Sequence, residues 1–258
     1  MKSTRVGLVT KEWPPQVYGG AGVHAVQLTQ ALRELAGVSV DVHCFGGVRE
    51  DGAFGYSTSA SFADANPAVQ AIATDLEIAN NLQNVNVIHS HTWYANMAGH
   101  FGSLLHGIPH VITAHSLEPL RPWKTDQLGG GYQISSWAEK SAYESADAII
   151  AVSDGMRADV LAAYPNVDPA KVVTIRNGVD VDRFKPTTDT ALLAELGITN
   201  RYAIFVGRIT RQKGLAHLLR AWQNVPAEYG LVLAAGSPDE ETIGNEVKGL
   251  IEELQKTR

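Results

Sequence analysis

The chain has 258 residues, of which 45% are hydrophobic and 19% charged, a balance that supports a globular core and excludes a disordered or fibrous polypeptide. Its net charge of −6 excludes a general nucleic-acid binder, and no window approaches the ~20 apolar residues of a membrane span. Cys44 is the only cysteine, which excludes an internal disulfide and a cysteine-based zinc site, so a reducing, cytoplasmic setting is expected.

Val6 to Val9 reads as a short buried strand, too short for a signal peptide and closed by Lys11-Glu12, before a loop rich in proline and glycine. Val23, Val26, Leu28, Ala31, Leu32 and Leu35 then recur at helical spacing, and Val38, Val40 and Val42 alternate as a strand. Residues 46–66 are small, polar and aperiodic and are expected to form a long surface loop. Val69, Ile72 and Leu76 predict a second helix, Val85 to His89 a strand, Tyr94 to Leu105 a helix and Val111 to Ala114 a strand. A second long loop, 115–131, contains Gly129-Gly130-Gly131. A helix over Ser135 to Ser145, a strand over Ala148 to Val152 and a helix over Gly155 to Ala163 complete the series. Repeated strand–helix units with apolar strands predict an α/β fold, a parallel sheet covered by helices.

The composition changes at Asn177-Gly178-Val179-Asp180 and again at Lys185-Pro186, which places a domain boundary near residue 186 and predicts domains 1–186 and 187–258. After a short helix at Ala191 to Leu196, the alternation restarts: strand 202–206, helix 214–225, strand 231–235, helix 240–256. No repeat, coiled coil or low-complexity tract is present in the sequence.

The segment from Val206 to Gly214 carries the clearest chemistry. Tyr202 to Val206 reads as a buried strand, and the turn after it places Arg208 and Lys213 beside a strand-to-helix junction, a site for a diphosphate. Gly19-Gly20-Ala21-Gly22 joins the first strand to the first helix, where glycine lets a backbone approach phosphate closely; the alternative is a flexible loop. The G-x-G-x-x-G spacing of a dinucleotide site is absent. His89, His91 and His115 stand at strand ends as catalytic or hydrogen-bonding groups; as a zinc set they lack an acidic ligand, and no metal is expected. The loop Glu118-Pro119-Leu120-Arg121-Pro122-Trp123-Lys124 reads either as a solvated surface loop or as a sugar platform with Arg121 or Lys124 on an anion. The Glu/Lys-rich stretch 246–258 reads as a solvated helix face.

Six segments occur in order along nearly the whole chain: Lys11 to Pro15, Tyr18 to His24, His89 to Trp93, Thr113 to Lys124, Asn177 to Asp180 and Val206 to Gly214. Together they resemble the retaining nucleotide-sugar glycosyltransferases of the two-domain GT-B architecture, in the glycogen synthase family. The likeness is nearest to the actinobacterial branch that includes the maltose-1-phosphate synthases. The resemblance implies two Rossmann-like domains and transfer of glucose from ADP-glucose or UDP-glucose to glucose 1-phosphate or an α-1,4-glucan, without metal or cofactor. It implies that Gly19 and Gly20 present amides to the donor diphosphate, that Arg208 and Lys213 clamp that diphosphate, and that His115 hydrogen-bonds the donor sugar near the reacting carbon. Arg121, Lys124 and His24 fall on the acceptor side.

Two departures qualify the likeness. The lysine that starch-type synthases carry two residues before the glycine pair is Val17 here, and their His-Asp-Trp is His91-Thr92-Trp93. The family's second domain also holds two glutamates about two helical turns apart, and no glutamate in this chain is followed by another eight positions on. The expectation is therefore an incomplete donor domain over 187–258, with little or no transfer by this chain alone. The rival readings are a non-catalytic glucan- or phosphosugar-binding module and another GT-B mannosyl- or N-acetylglucosaminyltransferase. Neither a nucleic-acid nor a membrane partner is expected, and a homo-oligomer is left open.

Overall fold

The computed structural model describes residues 3–122, 124–125 and 129–257, and the chain divides into two compact units between Val179 and Asp180. The first unit is built on β1 (Thr4–Thr10), β2 (Val38–Phe45), β3 (Phe54–Tyr56), β4 (Val87–His91), β5 (His110–Ala114), β6 (Ala148–Ala151) and β7 (Val172–Thr174). All pairings are parallel, in the order β3-β2-β1-β4-β5-β6-β7. The helices are α1 (Gly20–Arg33), α2 (Pro67–Asn80), α3 (Trp93–His106), α4 (Gly131–Ser145) and α5 (Asp154–Ala163). The expected α/β parallel sheet is therefore present.

The central strands are apolar on both faces because helices cover both: Leu8, Val9, Ile88, Ile112 and Ile149 are fully buried. Two strands escaped the sequence reading. β3 and a short 3-10 turn at Ala60–Phe62 lie inside the expected loop 46–66, and β7 follows α5; each strand has three residues, too few to establish a period. β4 begins at Val87 rather than Val85, which brings His91 into the strand, in register with Thr10 of β1 and Thr113 of β5. α2 starts where proline suits a first helical turn, with Asn66 Oδ1 accepting from Ala68 N–H at 2.9 Å.

Between α3 and β5 the packing is close enough to require glycine. A Cβ on Gly99 would strike the His110 ring, which is itself held by Ser90 Oγ at 2.7 Å from His110 Nε2. Ser90 donates to Asn96 Oδ1 at 2.9 Å, so His110 Nε2 carries the proton it gives to Ser90.

The second unit pairs β8 (Tyr202–Ile209) with β9 (Gly230–Pro238) in parallel, with α6 (Ala191–Glu195), α7 (Leu215–Trp222) and α8 (Glu241–Thr257). Leu215, Leu219, Ile243, Val247 and Leu254 form its core, with Phe205, Leu231 and Leu233 packed against them. The strand expected at Tyr202 to Val206 is present, but it is not buried: Ile204 is 57% and Val206 73% exposed. The described helices cover one face of the two-stranded sheet, and the period of two sends these residues to the other. No helix among the described residues is long and apolar enough to cross a membrane.

Gly99→Ala is expected to destabilise the first unit by about 1–3 kcal/mol through overpacking against His110. Urea denaturation followed by circular dichroism measures it; unchanged stability would mean the His110 ring moves aside freely.

Candidate functional site

In parallel sheets ligands sit beyond the carboxyl ends of the strands, where the strand order reverses. Here the reversal lies between β1 and β4, since β2 and β3 extend to one side of β1 and β4 to β7 to the other. The loop from β1 to α1, the ends of β4 and β5, and the segment after β5 all open at that edge.

The β1–α1 loop folds around one side chain. Glu12 Oε2 accepts from Tyr18 N–H at 2.8 Å and from Gly19 N–H at 2.6 Å. A Cβ on Gly22 would lie 2.6 Å from Glu12 Oε2 and 2.7 Å from its Cβ, so this glycine serves a close approach inside the protein. At Gly20, by contrast, a Cβ would meet nothing within 4 Å. Helix α1 begins with no side-chain cap of its own and no acidic residue in its first turn; the Glu12 carboxylate, on the Gly19 amide and beside Gly22, sits at the positive end of its dipole instead. Of the two glycines expected to offer amides, Gly19 already donates to Glu12, and Gly20 has open space beside it.

Four histidines converge at this edge. His24 of α1 lies 5.4 Å from His91 and 4.8 Å from His115 between ring centroids, and His89 lies 4.5 Å from His91. His91 Nδ1 and His115 Nε2 share a hydrogen bond at 3.1 Å, while His89 Nε2 meets Thr113 Oγ1 at 2.7 Å. The three that offer nitrogens within 4.8 Å of one another are therefore His24, His91 and His115, rather than His89, His91 and His115. No carboxylate belongs to this group.

Burial is the main cause of the low basicity of all four rings. It takes His89 down to about 4 and His115 to about 3, His91 falls well below the usual imidazole value, and His24 is lowered against a hydrogen bond with Asn177. At pH 7 the cluster is neutral, which suits it to hydroxyl groups rather than anions. His24 Nε2 and His91 Nε2 are buried without a protein partner, an arrangement a sugar hydroxyl would satisfy. Beside them Thr92 is held at φ 67°, a conformation disfavoured for a β-branched residue and typical of constrained site positions.

Positive charge comes instead from the flanking loops. Lys11 Nζ sits 3.6 Å from the centroid of the Tyr94 ring, which stacks on Trp93 at 4.1 Å. Burial lowers the Lys11 pKa, Glu12 opposes that shift, and Lys124 adds to it, so the two ammonium groups feel one another. Arg121 Nη1 donates to Ser116 Oγ at 3.3 Å and lies 3.7 Å from Glu118 Oε1. Lys124 is half-buried; Trp123 lies outside the described residues. The structure thus brings Lys11 and Lys124 within each other's field and Lys11 and Arg121 to the surroundings of Tyr94, on the segments that follow β1 and β5. Lys11 was legible only as part of a longer motif.

In the second unit, Arg208 ends β8 and pairs with Asp239 at 3.2 Å. Lys213 is exposed in the turn capped by Thr210 Oγ1, which accepts from Lys213 N–H at 3.2 Å. Gly214, at φ 69°, takes the left-handed conformation that starts α7.

Residues 18–183 match the Glycosyltransferase Family 4 domain. The chain belongs to this family. An alpha-maltose-1-phosphate synthase of Mycolicibacterium smegmatis is 52% identical over 259 aligned positions, covering 98% of this chain and 66% of the relative. The chain thus spans just under two thirds of that relative's length. A D-inositol 3-phosphate glycosyltransferase of Mycobacteroides abscessus is 33% identical over 159 positions, covering 59% of this chain and 34% of the relative. Among solved structures, Anabaena HepE in complex with UDP and glucose superposes with a TM-score of 0.74 at 17% identity, covering 98% of this chain and 66% of that one. That likeness establishes the shared GT-B fold of this family 4 chain.

The same edge contains a buried carboxyl whose titration is readable. Burial raises Glu139 to about 8, against the hydrogen bonds from Tyr164 and the Glu118 N–H. Its folded pKa lies above the unfolded value of 4.5, so the folded chain holds more protons between the two, and stability falls as pH rises through that window. Relative to Glu139→Gln, the unsubstituted chain is expected to lose several degrees of Tm between pH 5 and pH 8.5, read by calorimetry. A gap constant with pH would show that Glu139 stays charged.

Proposed function

We propose that this family 4 chain provides the acceptor side, and part of the donor side, of a retaining glucosyltransferase. The enzyme moves glucose from ADP-glucose, or UDP-glucose, to O4 of glucose 1-phosphate with formation of an α-1,4 linkage. The observation that carries this is the 52% identity to alpha-maltose-1-phosphate synthase, together with Arg121 and Lys124 on the segment that follows His115. Both reported relatives are named for a phosphomonoester, and the cations on the segment after His115 suit one. An α-glucan is the alternative acceptor.

In this reading the histidine cluster holds hexose hydroxyls, with His115 near the reacting carbon. In the first unit, Gly20 and the α1 N-terminus offer amides suited to a donor diphosphate; in the second, Arg208 and Lys213 are the cations suited to a departing diphosphate. The bond between the anomeric carbon and the phosphate oxygen breaks as the acceptor O4 bonds to that carbon from the same face. The acceptor proton passes to the departing phosphate oxygen, giving nucleoside diphosphate and maltose 1-phosphate. No carboxylate pair is needed for this step, and the positive groups supply the stabilisation of developing charge.

The acceptor assignment is tested by titrating glucose 1-phosphate into the chain by calorimetry. Arg121→Ala and Lys124→Ala are each expected to weaken it about fivefold to tenfold, the loss of one charge-assisted contact. Unchanged affinity in both variants would remove the phosphate from this loop and favour an unphosphorylated glucan.

A further inference from the structure

The segment after β5 is gripped from one face of α4. Tyr132, Ser135 and Glu139 are spaced so that all three project from the same side of that helix. Each takes hold of a different part of Glu118. Tyr132 Oη donates to the Glu118 carbonyl at 2.9 Å, Ser135 Oγ donates to Glu118 Oε2 at 2.7 Å, and Glu139 Oε1 accepts from Glu118 N–H at 2.7 Å. Tyr164 Oη donates to Glu139 Oε1 in turn, so the clamp is braced from beyond α5.

These contacts split the Glu118 carboxylate into two unlike ends. Oε2 is tied to the helix, while Oε1 is buried with no hydrogen bond and has the Arg121 guanidinium 3.7 Å away. The Glu118 side chain is 1% exposed and that of Arg121 is 25% exposed, so the charge attracting Arg121 is fixed while the guanidinium still reaches the surface. Arg121 uses Nη1 for both Ser116 and Glu118. Among the described residues, the contacts of Arg121 run through Nη1, which leaves the edge formed by Nε and Nη2, the one able to grip two phosphate oxygens at once.

We propose that Glu118 is a positioning residue: anchored to α4, it aims Arg121 at the acceptor's phosphate and so sets a preference for phosphorylated over unphosphorylated acceptors. The inference rests on the acceptor reading above. A free arginine at the surface would lose side-chain freedom on binding; one already drawn against a buried carboxylate has lost much of it beforehand. Removing the Glu118 charge returns that freedom without touching the ligand.

The test compares glucose 1-phosphate with maltotriose, each titrated into the chain by calorimetry. Glu118→Gln keeps the shape and is expected to weaken glucose 1-phosphate about tenfold, the scale of one charge-assisted contact, while maltotriose changes less than about twofold. Ser135→Ala leaves the Glu118 charge but loosens Oε2, and is expected to weaken glucose 1-phosphate by about threefold; it decides the matter if Glu118→Gln does not fold. Parallel weakening of both ligands would make Glu118 a residue that only shapes the loop, and overturns the proposal. So does unchanged glucose 1-phosphate affinity in both variants while Arg121→Ala still weakens it. If Arg121→Ala has no effect, the acceptor reading itself fails, and that failure is visible separately.

Discussion

The parallel register of β1, β4 and β5 is the constraint on which the candidate site depends. Thr10, His91 and Thr113 lie abreast, so the chain leaves these strands at nearly one level, and the segments that follow open toward a common space. A slip of one residue in β4 would turn His91 to the opposite face of the sheet and bring Ser90 round in its place. The buried contact of Ser90 with His110 and Asn96 opposes such a slip, because it would leave three polar groups without partners. Strand pairing and the polar contacts beneath it therefore fix the same geometry.

Within that geometry two kinds of recognition are kept apart. The histidines are stripped of water and of charge, which suits them to hydroxyl groups whose orientation matters. The cations sit on loops at the margin, where Arg121 and Lys124 keep partial access to solvent. In the proposed acceptor reading, a sugar phosphate asks for both kinds together. The fold supplies them on adjacent segments because β5 ends at Ala114, His115 follows, and the chain then turns into the Arg121 loop.

Much of this was legible in the sequence, and the rest failed for definable reasons. Long apolar periods gave α1, α3 and the central strands, whereas β3 and β7, at three residues each, are shorter than any period can establish. The exposed side of β8 was misread because an apolar run records composition, and only the partner helices decide which face is covered. His115 was visible as a strand-end residue; the approach of His24 to it depends on how α1 crosses the sheet, which no local pattern encodes. Glu12 entered only as part of the Lys11–Pro15 segment, and Glu139 was not singled out. Their signal was present, in the Tyr132–Ser135–Glu139 helical spacing and in the glycine facing Glu12, but it gains meaning only once the opposing segment is known.

The hold of Glu12 on the β1–α1 loop has a consequence for what can enter it. The Gly19 amide already faces a negative oxygen, so the loop is shaped for an anion while one from the protein itself is resident. Any incoming anion that uses this amide does so by exchange with the tethered carboxylate. A singly charged visitor meets an equal competitor whose effective concentration is high because it is part of the same chain. A ligand with several charged oxygens can engage neighbouring amides and cations together, and it alone shifts the exchange. On the proposed donor reading, the resident carboxylate would favour a polyanion over the monovalent anions of the solvent.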